Sequence, residues 1–449
     1  MRAESAVVLF VLVLVVSSVS FVVPVGSSSA VDTEGLARDR PVGAFGDDPV
    51  RSSAPADPAP NPDTLAGFAR VHDAGITGED VRVGVVGSAF ATGGGRLADD
   101  VTDRRRFAAG APGLIADTSH DTAVAEIVSR TAPGADLYLA SIGRDGGPEE
   151  YADAVAWLRT RGVDVIVDAG SYFPATAEGR ERLNAVAAAA TENGTAFVTS
   201  AGNYADRHWI GEGSEGWIGF ANDTRYNSLG DGAVSGSVSL RLHWSGTDSY
   251  DLYLYRAVDG EDQLVAKSAA DESADGRHTE AIDATLPVGQ YYVAVRGGPD
   301  ANGTVELFAS HHDLAISSDA GGMVAPATAE GVVAVGAVDS VTGEPQPYSS
   351  TGPALDISAP DGTATNAAGE FYGSSAAAPL VGGTLTLMLA EDESLTPTEA
   401  QRVLRDAAIR VDGRLYLDTA SAVRAVAPAS SVQTTRPPWL RASANESRD

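Results

Sequence analysis

The chain has 449 residues, which is long enough for one large α/β domain and a smaller module. Its net charge of −30 argues against binding to nucleic acid or to anionic lipid, because both need a basic surface. The absence of cysteine excludes disulfides, thiolate zinc sites and a cysteine nucleophile. Acidic residues are dispersed along a chain that has one lysine, Lys267. Such a surface favours solubility, and the composition is also similar to that of proteins from extreme halophiles.

The N-terminus has the pattern of an export signal. Arg2 precedes an apolar run at residues 6–16, and the small residues at 27–30 follow. We therefore expect a signal peptide over residues 1–30 and a secreted, extracellular protein without membrane contact after cleavage. An uncleaved membrane anchor is the alternative, because apolar residues resume at 21–23. A Pro/Asp-rich linker is predicted at 31–62 and a disordered tail at 426–449.

Apolar runs alternate with helical patterns from residue 63 to residue 207. The predicted strands are 81–86, 136–142, 163–167 and 196–200, and the predicted helices are 121–130, 149–161 and 179–193. Strands that are apolar on both faces indicate a parallel sheet covered by helices. The same pattern returns over residues 312–425, with a strand at 331–338 and a helix at 397–408.

Residues 208–311 follow a different pattern. Apolar and polar residues alternate strictly at 238–244 and 250–255, nearly so at 291–296, and a further strand is predicted at 304–308. Period-two alternation with Gly/Asp turns predicts an antiparallel β-sandwich inserted into the α/β domain.

A serine surrounded by small residues is the strongest chemical signal. Residues 373–379 read Gly-Ser-Ser-Ala-Ala-Ala-Pro, and an apolar helix is predicted at 380–389. Free N–H groups and the positive end of the dipole at a helix N-terminus favour an alkoxide at Ser375 and an oxyanion on the substrate. The alternative is a helix-capping serine.

Two more polar residues lie at junctions between strands and helices. His120 comes just before a predicted helix and could act as a general base, or merely start the helix. Asn203 follows the strand 196–200, at the sheet edge where ligands bind in open parallel sheets, and its amide suits an oxyanion hole. A turn asparagine is the alternative.

The order histidine, amide and serine resembles the subtilisin-like serine peptidases, the subtilases of peptidase family S8. The family motif Gly-Thr-Ser-Met-Ala-Ala-Pro is present here as Gly-Ser-Ser-Ala-Ala-Ala-Pro, and Ala-Gly-Asn is unchanged at 201–203. The resemblance implies a subtilisin-like, doubly wound parallel sheet, with Ser375 as nucleophile, His120 as base and Asn203 at the oxyanion.

Two other segments extend the resemblance. Residues 164–168 are similar to the strand that lines the family's substrate cleft, which places Gly170, Ser171 and Gly202 in that cleft. Residues 244–255 and 291–295 resemble the prepeptidase C-terminal type of β-sandwich, which accompanies many secreted peptidases.

The sequence departs from the family at the first member of the triad. The family has an Asp at the end of the first strand, whereas this chain has Gly87, or Ser88 if the register slips by one. Two carboxylates could substitute. Asp121 follows His120 directly but is expected to point along the helix, and Asp168 ends a central strand and could face the cleft. Loss of the acid alone predicts an impaired enzyme, since Ser and His still contribute.

Two functions remain open on this evidence. The first is a secreted serine endopeptidase acting on protein or peptide substrates through an acyl-enzyme. The second is a pseudopeptidase that binds peptides or mediates adhesion; the missing Asp and the short, polar segment 31–62, where many subtilases have a folded propeptide, favour it. No cofactor is expected to be required. Structural Ca²⁺ is possible, but no ligand string identifies its site, and the oligomeric state is not predicted.

Overall fold

A computed structural model of the protein describes residues 65–427, with gaps at 92–95, 108–117, 144–145, 175, 223, 247–248, 270–277 and 319–320. The predicted signal peptide, the linker and all but the first two residues of the predicted tail lie outside the described residues.

Helices and strands alternate on either side of a β-rich middle segment. The helices are α1 Ala66–Asp73, α2 Arg96–Asp100, α3 Ser119–Thr131, α4 Pro148–Thr160, α5 Ala177–Glu192, α6 Ser374–Glu391, α7 Pro397–Ala407 and α8 Thr419–Val426. The strands are β1 Arg82–Gly87, β2 Val101–Arg106, β3 Asp136–Ser141, β4 Val165–Asp168, β5 Ala196–Ser200, β6 His208–Glu212, β7 Gly216–Trp217, β8 Asn227–Ser228, β9 Val234–Trp244, β10 Tyr250–Ala257, β11 Gln263–Ser268, β12 Thr279–Gly297, β13 Thr304–Ser310, β14 Val333–Val338, β15 Ile357–Pro360, β16 Thr363–Thr365, β17 Gly369–Phe371, β18 Ile409–Val411 and β19 Arg414–Tyr416.

The main sheet has nine strands in the order β18-β19-β15-β14-β5-β4-β1-β3-β2. Its strand pairs are parallel except for β18 with β19 at one edge. The carboxyl ends of β1, β4 and β5 are adjacent, so the residues that follow these strands meet at one edge of the sheet. In open α/β sheets this edge holds the ligand site. The predicted doubly wound parallel sheet is confirmed.

Strand β1 shows why both faces of the sheet are apolar. Val83 and Val85 belong to the core that contains α3 and α6, whereas Val86 belongs to the core on the opposite face with α4 and α5. Gly84 also faces α4, and a Cβ there would lie 2.8 Å from the methyl carbons of Leu158. The alternation follows from the two-residue period of a strand, and it accounts for the continuous apolar run in the sequence.

Helix α6 passes through the centre of the first core. Every residue from Ser374 to Leu389 is buried. Two glycines, Gly382 and Gly383, allow the close approach, since a Cβ on the first would overlap Val167 of β4 and one on the second would overlap Thr131 of α3. The helix begins at Ser374, six residues before the predicted start, and continues through Pro379. A proline inside a helix removes one backbone hydrogen bond, and α6 continues past it.

Strands β6 and β8–β13 form a separate, seven-stranded antiparallel sheet over residues 208–310. The long strand β12 pairs with β9 through its first half and with β10 through its second half. The side chains of Leu242, Leu252, Val293 and Leu307 share one core, so the two halves enclose a common interior. The predicted antiparallel character is confirmed, and the domain boundaries stay predictions.

An aromatic cluster joins the antiparallel sheet to the main sheet. The ring of Phe173, five residues after β4, lies 5.5 Å from His243 and 5.2 Å from Phe308 of the antiparallel sheet. The ring of Tyr204, next to Asn203, lies 5.6 Å from that of Phe308. The antiparallel sheet therefore contacts the loops that follow β4 and β5.

Candidate active site

Ser375 lies in the first turn of α6 at the sheet edge. Gly373 precedes the helix with φ +105°, a conformation that favours glycine, and Ser375 is 7% exposed. The Ser375 hydroxyl donates to the carbonyl of Ala169, after β4, at 3.1 Å. As the second residue of α6, Ser375 has a backbone N–H with no acceptor inside the helix, so this N–H is available to an oxyanion.

Asn203 lies directly beside the start of α6. Its side-chain oxygen accepts hydrogen bonds from the backbone N–H of Ser374 at 2.9 Å and from its hydroxyl at 3.0 Å. The Ser374 hydroxyl also accepts from the N–H of Gly202 at 3.1 Å. Because the amide oxygen is occupied in this way, Nδ2 is oriented away from Ser374 and is available as a donor.

His120 lies within the first turn of α3, because the helix begins at Ser119 rather than after the histidine as predicted. Its ring Nδ1 is 2.8 Å from Oδ1 of Asp121. The ring edge contacts Phe371, with the ring centres 5.4 Å apart, so the imidazole lies against the segment that leads to Ser375. The His120 side chain is 42% exposed, which leaves it accessible to a substrate.

The carboxylate of Asp121 points towards the end of β1. The prediction that it points along the helix was wrong. Its Oδ2 accepts hydrogen bonds from the N–H groups of Ser88 at 2.6 Å and Ala89 at 3.0 Å. Asp121 thereby links three groups, since Oδ1 faces His120 and Oδ2 faces the two residues that follow β1. Its side chain is 12% exposed.

Gly87 provides the space that Asp121 occupies. A Cβ at Gly87 would lie 2.7 Å from Cγ and 2.8 Å from Cβ of Asp121. A side chain on residue 87 and the observed position of Asp121 therefore exclude each other. The carboxylate next to the histidine is supplied by α3, at the place where a side chain from the end of β1 would otherwise extend.

Asp168, the other candidate acid, bonds elsewhere. It is fully buried, and its carboxylate accepts from Tyr151 at 2.8 Å, from Tyr172 at 3.0 Å and from the N–H of Gly170 at 2.9 Å. The described contacts include no hydrogen bond between Asp168 and His120. Burial raises the pKa of Asp168 to about 7, against the opposing effect of these three donors. Asp168 therefore fixes the start of the loop that follows β4, through Gly170 and Tyr172, and does not orient His120.

The loop residues assigned to the cleft lie in two neighbouring segments. Gly170 and Ser171 follow Asp168, and the Ser171 hydroxyl interacts with the hydroxyl of Tyr204. Gly202, at φ +101°, connects β5 to Asn203. Both segments follow adjacent parallel strands, which brings them to the same edge as Ser375.

The sequence reasoning missed one buried acid, Asp361. Its carboxylate accepts from the N–H of Gly373 at 3.1 Å, from Gln346 at 2.9 Å and from the hydroxyl of Tyr348. Burial raises its pKa. Asp361 thus anchors the residue before α6 and helps to fix the position of Ser375. Its location directly after the strand 357–360 was the available signal, since polar residues at that edge of the sheet contact the site.

Within the described residues there is no group of three or more His, Asp or Glu side chains arranged to hold a metal ion. No helix in the described part of the chain is long and apolar enough to cross a membrane.

Comparisons with known proteins found one family match and a set of similar structures. The model of the subtilase family, peptidase S8, matches residues 227–435, which include Ser375. The structure of the Clostridium perfringens CspB protease is similar with a TM-score of 0.55 at 14% identity, covering 81% of this chain and 99% of that chain. The nisin leader peptidase NisP from Lactococcus lactis has a TM-score of 0.47 at 15% identity, covering 84% and 96%.

The comparisons show the fold of the chain and a family match over part of it. The chain has a subtilisin-like α/β fold, and its residues 227–435 carry a match to the peptidase S8 domain. The matched segment does not include His120, Asp121 or Asn203, so their assignment depends on the geometry given above.

The raised pKa of Asp168 predicts a pH-dependent stability. A carboxyl whose pKa is higher in the folded state stabilises the fold while it is protonated, and this contribution is lost as pH rises from about 4 to about 7. One pKa unit corresponds to about 1.4 kcal/mol, so the loss amounts to several kcal/mol. We expect wild type to lose stability relative to Asp168→Asn across this range in urea unfolding at fixed salt. Parallel pH curves for the two proteins would contradict the assignment.

Proposed function

We propose that the chain is a secreted serine endopeptidase of the subtilase family, which hydrolyses peptide bonds through an acyl-enzyme. The observation that carries this proposal is the contact between Asp121 and Nδ1 of His120, made in the space above Gly87. It supplies the acid that the sequence lacks at the end of β1. The triad is Ser375, His120 and Asp121, with Asn203 in the oxyanion hole.

Asp121 sets the tautomer of the histidine. A carboxylate on Nδ1 keeps the proton on that nitrogen, so the lone pair of Nε2 is free to accept a proton from Ser375. The N–H groups of Ser88 and Ala89 hold the other carboxylate oxygen, which fixes the plane of the carboxylate. The same charge stabilises the imidazolium that forms when the proton arrives.

The reaction proceeds in two halves. Ser375 Oγ leaves its hydrogen bond to Ala169, gives its proton to His120 and forms a bond to the substrate carbonyl carbon. The oxyanion accepts hydrogen bonds from Asn203 Nδ2 and from the Ser375 N–H. The C–N bond then breaks as His120 returns the proton to the amine, and a water molecule activated by His120 hydrolyses the ester.

The sequence predicts an impaired enzyme because it has no acid at the end of β1. We propose that Asp121 supplies this acid, which removes the reason for expecting an impaired enzyme. A pseudopeptidase remains the second candidate, and one observation favours it. The Ser375 hydroxyl donates to Ala169 rather than to His120, and an inactive protein would retain this arrangement when a substrate binds.

Covalent labelling separates these two functions. We expect a fluorophosphonate probe to label the folded protein at high salt, because the attack needs only Ser375, its base and the oxyanion hole. Labelling should disappear in Ser375→Ala and persist in Ser394→Ala, an exposed serine in the turn before α7. In-gel fluorescence measures both. Folded wild-type protein that does not react at any salt concentration would support the pseudopeptidase instead.

An exchange of the two residues tests the position of the acid. We expect Asp121→Gly to lower kcat/KM on a peptide substrate by about 10³–10⁴, since the histidine loses its partner. Gly87→Asp alone should also lower kcat/KM, because its Cβ would overlap Asp121 and displace that carboxylate. The double variant Gly87→Asp, Asp121→Gly restores a carboxylate from β1, and it should recover at least tenfold over Asp121→Gly. A double variant no better than Asp121→Gly would contradict the proposed exchange.

We also propose the setting in which this activity works. The export signal at residues 1–30 supports secretion, and the acidic composition with its single lysine supports function at high salt. Substrates are proteins or peptides. We further propose that the chain can bind structural Ca²⁺, and that residues 208–311 form a module of the prepeptidase C-terminal type.

A further inference from the structure

A two-stranded hairpin, formed by β16 and β17, leads directly into the start of α6. Its strands pair antiparallel from Thr363 with Phe371 to Thr365 with Gly369, and Ser375 follows four residues after Phe371. Within the described residues these two strands form a sheet of their own. A two-stranded hairpin has little stability by itself in water, so contacts with the rest of the protein must fix its position.

Helix α3, which carries His120 and Asp121, holds the turn of this hairpin. One carboxylate oxygen of Glu126 accepts hydrogen bonds from the backbone N–H groups of Asn366 at 2.6 Å and of Ala367 at 3.3 Å, in the turn between the two strands. A charged acceptor makes a stronger hydrogen bond with a backbone N–H than a neutral acceptor does. Glu126 therefore connects the turn of the hairpin to α3.

Two further contacts join the hairpin to α3. The guanidinium of Arg130, four residues after Glu126 and therefore on the same face of the helix, donates to the carbonyl of Ala364 in β16. In the first turn of the helix, the ring of His120 lies against the ring of Phe371 at the end of β17. The hairpin thus contacts α3 from its first turn to its last.

The other end of the hairpin is held together with the nucleophile. The carboxylate of Asp361 accepts from the N–H of Gly373, and the side chain of Asn203 accepts from the N–H of Ser374. The hairpin therefore links the helix that carries the base to the segment that carries Ser375. Proton transfer requires the hydroxyl and the imidazole to come within hydrogen-bond distance, so the reaction depends on how α3 is placed relative to the start of α6.

We propose that Glu126 is a positioning residue for the peptidase reaction. By holding the turn of the hairpin against α3, its carboxylate sets the distance between His120 and Ser375. This role rests on the proposed function, because it requires these two residues to exchange a proton. A displacement of about 1 Å between reacting groups can lower a rate on the order of 10²-fold. Loss of the contact should therefore lower kcat, whereas KM should change little, because the cleft loops follow β4 and β5.

Steady-state kinetics on a peptide substrate at high salt tests this role. We expect Glu126→Ala to lower kcat about tenfold or more and to change KM by no more than about twofold. Glu126→Gln keeps an oxygen acceptor of the same reach, so it should recover kcat by about threefold or more over Glu126→Ala. Arg130→Gln removes the second contact and should lower kcat in the same direction.

Glu399→Ala is the matched control. The carboxylate of Glu399 also accepts from a backbone N–H, that of Thr396 at 3.0 Å, but this contact lies at the start of α7 and not in the hairpin. Its kcat should equal that of wild type. Hydrogen-exchange mass spectrometry gives a readout that needs no turnover. Exchange in the peptide covering residues 363–373 should be faster in Glu126→Ala than in wild type, and unchanged in Glu399→Ala.

The outcomes distinguish this proposal from the proposed function. If wild type turns over and Glu126→Ala and Arg130→Gln both keep its kcat, Glu126 has no positioning role and the proposal fails alone. A fall in kcat that Glu399→Ala reproduces, or hydrogen exchange at 363–373 that is equal in Glu126→Ala and wild type, would also overturn it. Folded wild-type protein without turnover would overturn the proposed function, and this role with it.

Discussion

The space beside Gly87, at the end of β1, determines where the carboxylate next to His120 can lie. Only a glycine at position 87 leaves room for the carboxylate of Asp121. Any other residue would place its Cβ 2.7 Å from Cγ of Asp121. The carboxylate then meets His120 on one side and two backbone N–H groups on the other. A side chain at position 87 and the observed position of the Asp121 carboxylate are thus sterically incompatible.

The remaining parts of the site are held by the buried core rather than by the loops alone. Helix α6 is buried from Ser374 to Leu389, and Gly382 and Gly383 let it approach β4 and α3 closely. The carboxylate of Asp361 holds Gly373, and the amide of Asn203 holds Ser374. The start of α6, and with it Ser375, is therefore fixed from several directions, and the Ser375 hydroxyl donates to the carbonyl of Ala169.

Much of this could be predicted from the sequence. Apolar runs and helical periodicity indicated the parallel sheet, strict alternation indicated the antiparallel sheet, and the motif around Ser375 indicated the fold family. The start of α6 was missed because Pro379, the sixth residue of the helix, removes a backbone donor and is a reasonable signal for a helix boundary. Asp121 was one of two candidate acids, but its carboxylate was expected to point along the helix, because its true direction depends on how α3 lies over the end of β1. That Asp121 follows His120 in the sequence does not indicate how far its carboxylate lies from the end of β1.

The most direct test of the displaced acid is the proton between His120 and Asp121. Proton NMR of the wild-type protein at low temperature can detect a ring N–H that a carboxylate protects from exchange with water. We expect a low-field signal that is absent from His120→Gln and also absent from Asp121→Asn. A His120 signal that is unchanged in Asp121→Asn, or a wild-type spectrum without it, would contradict the proposed triad.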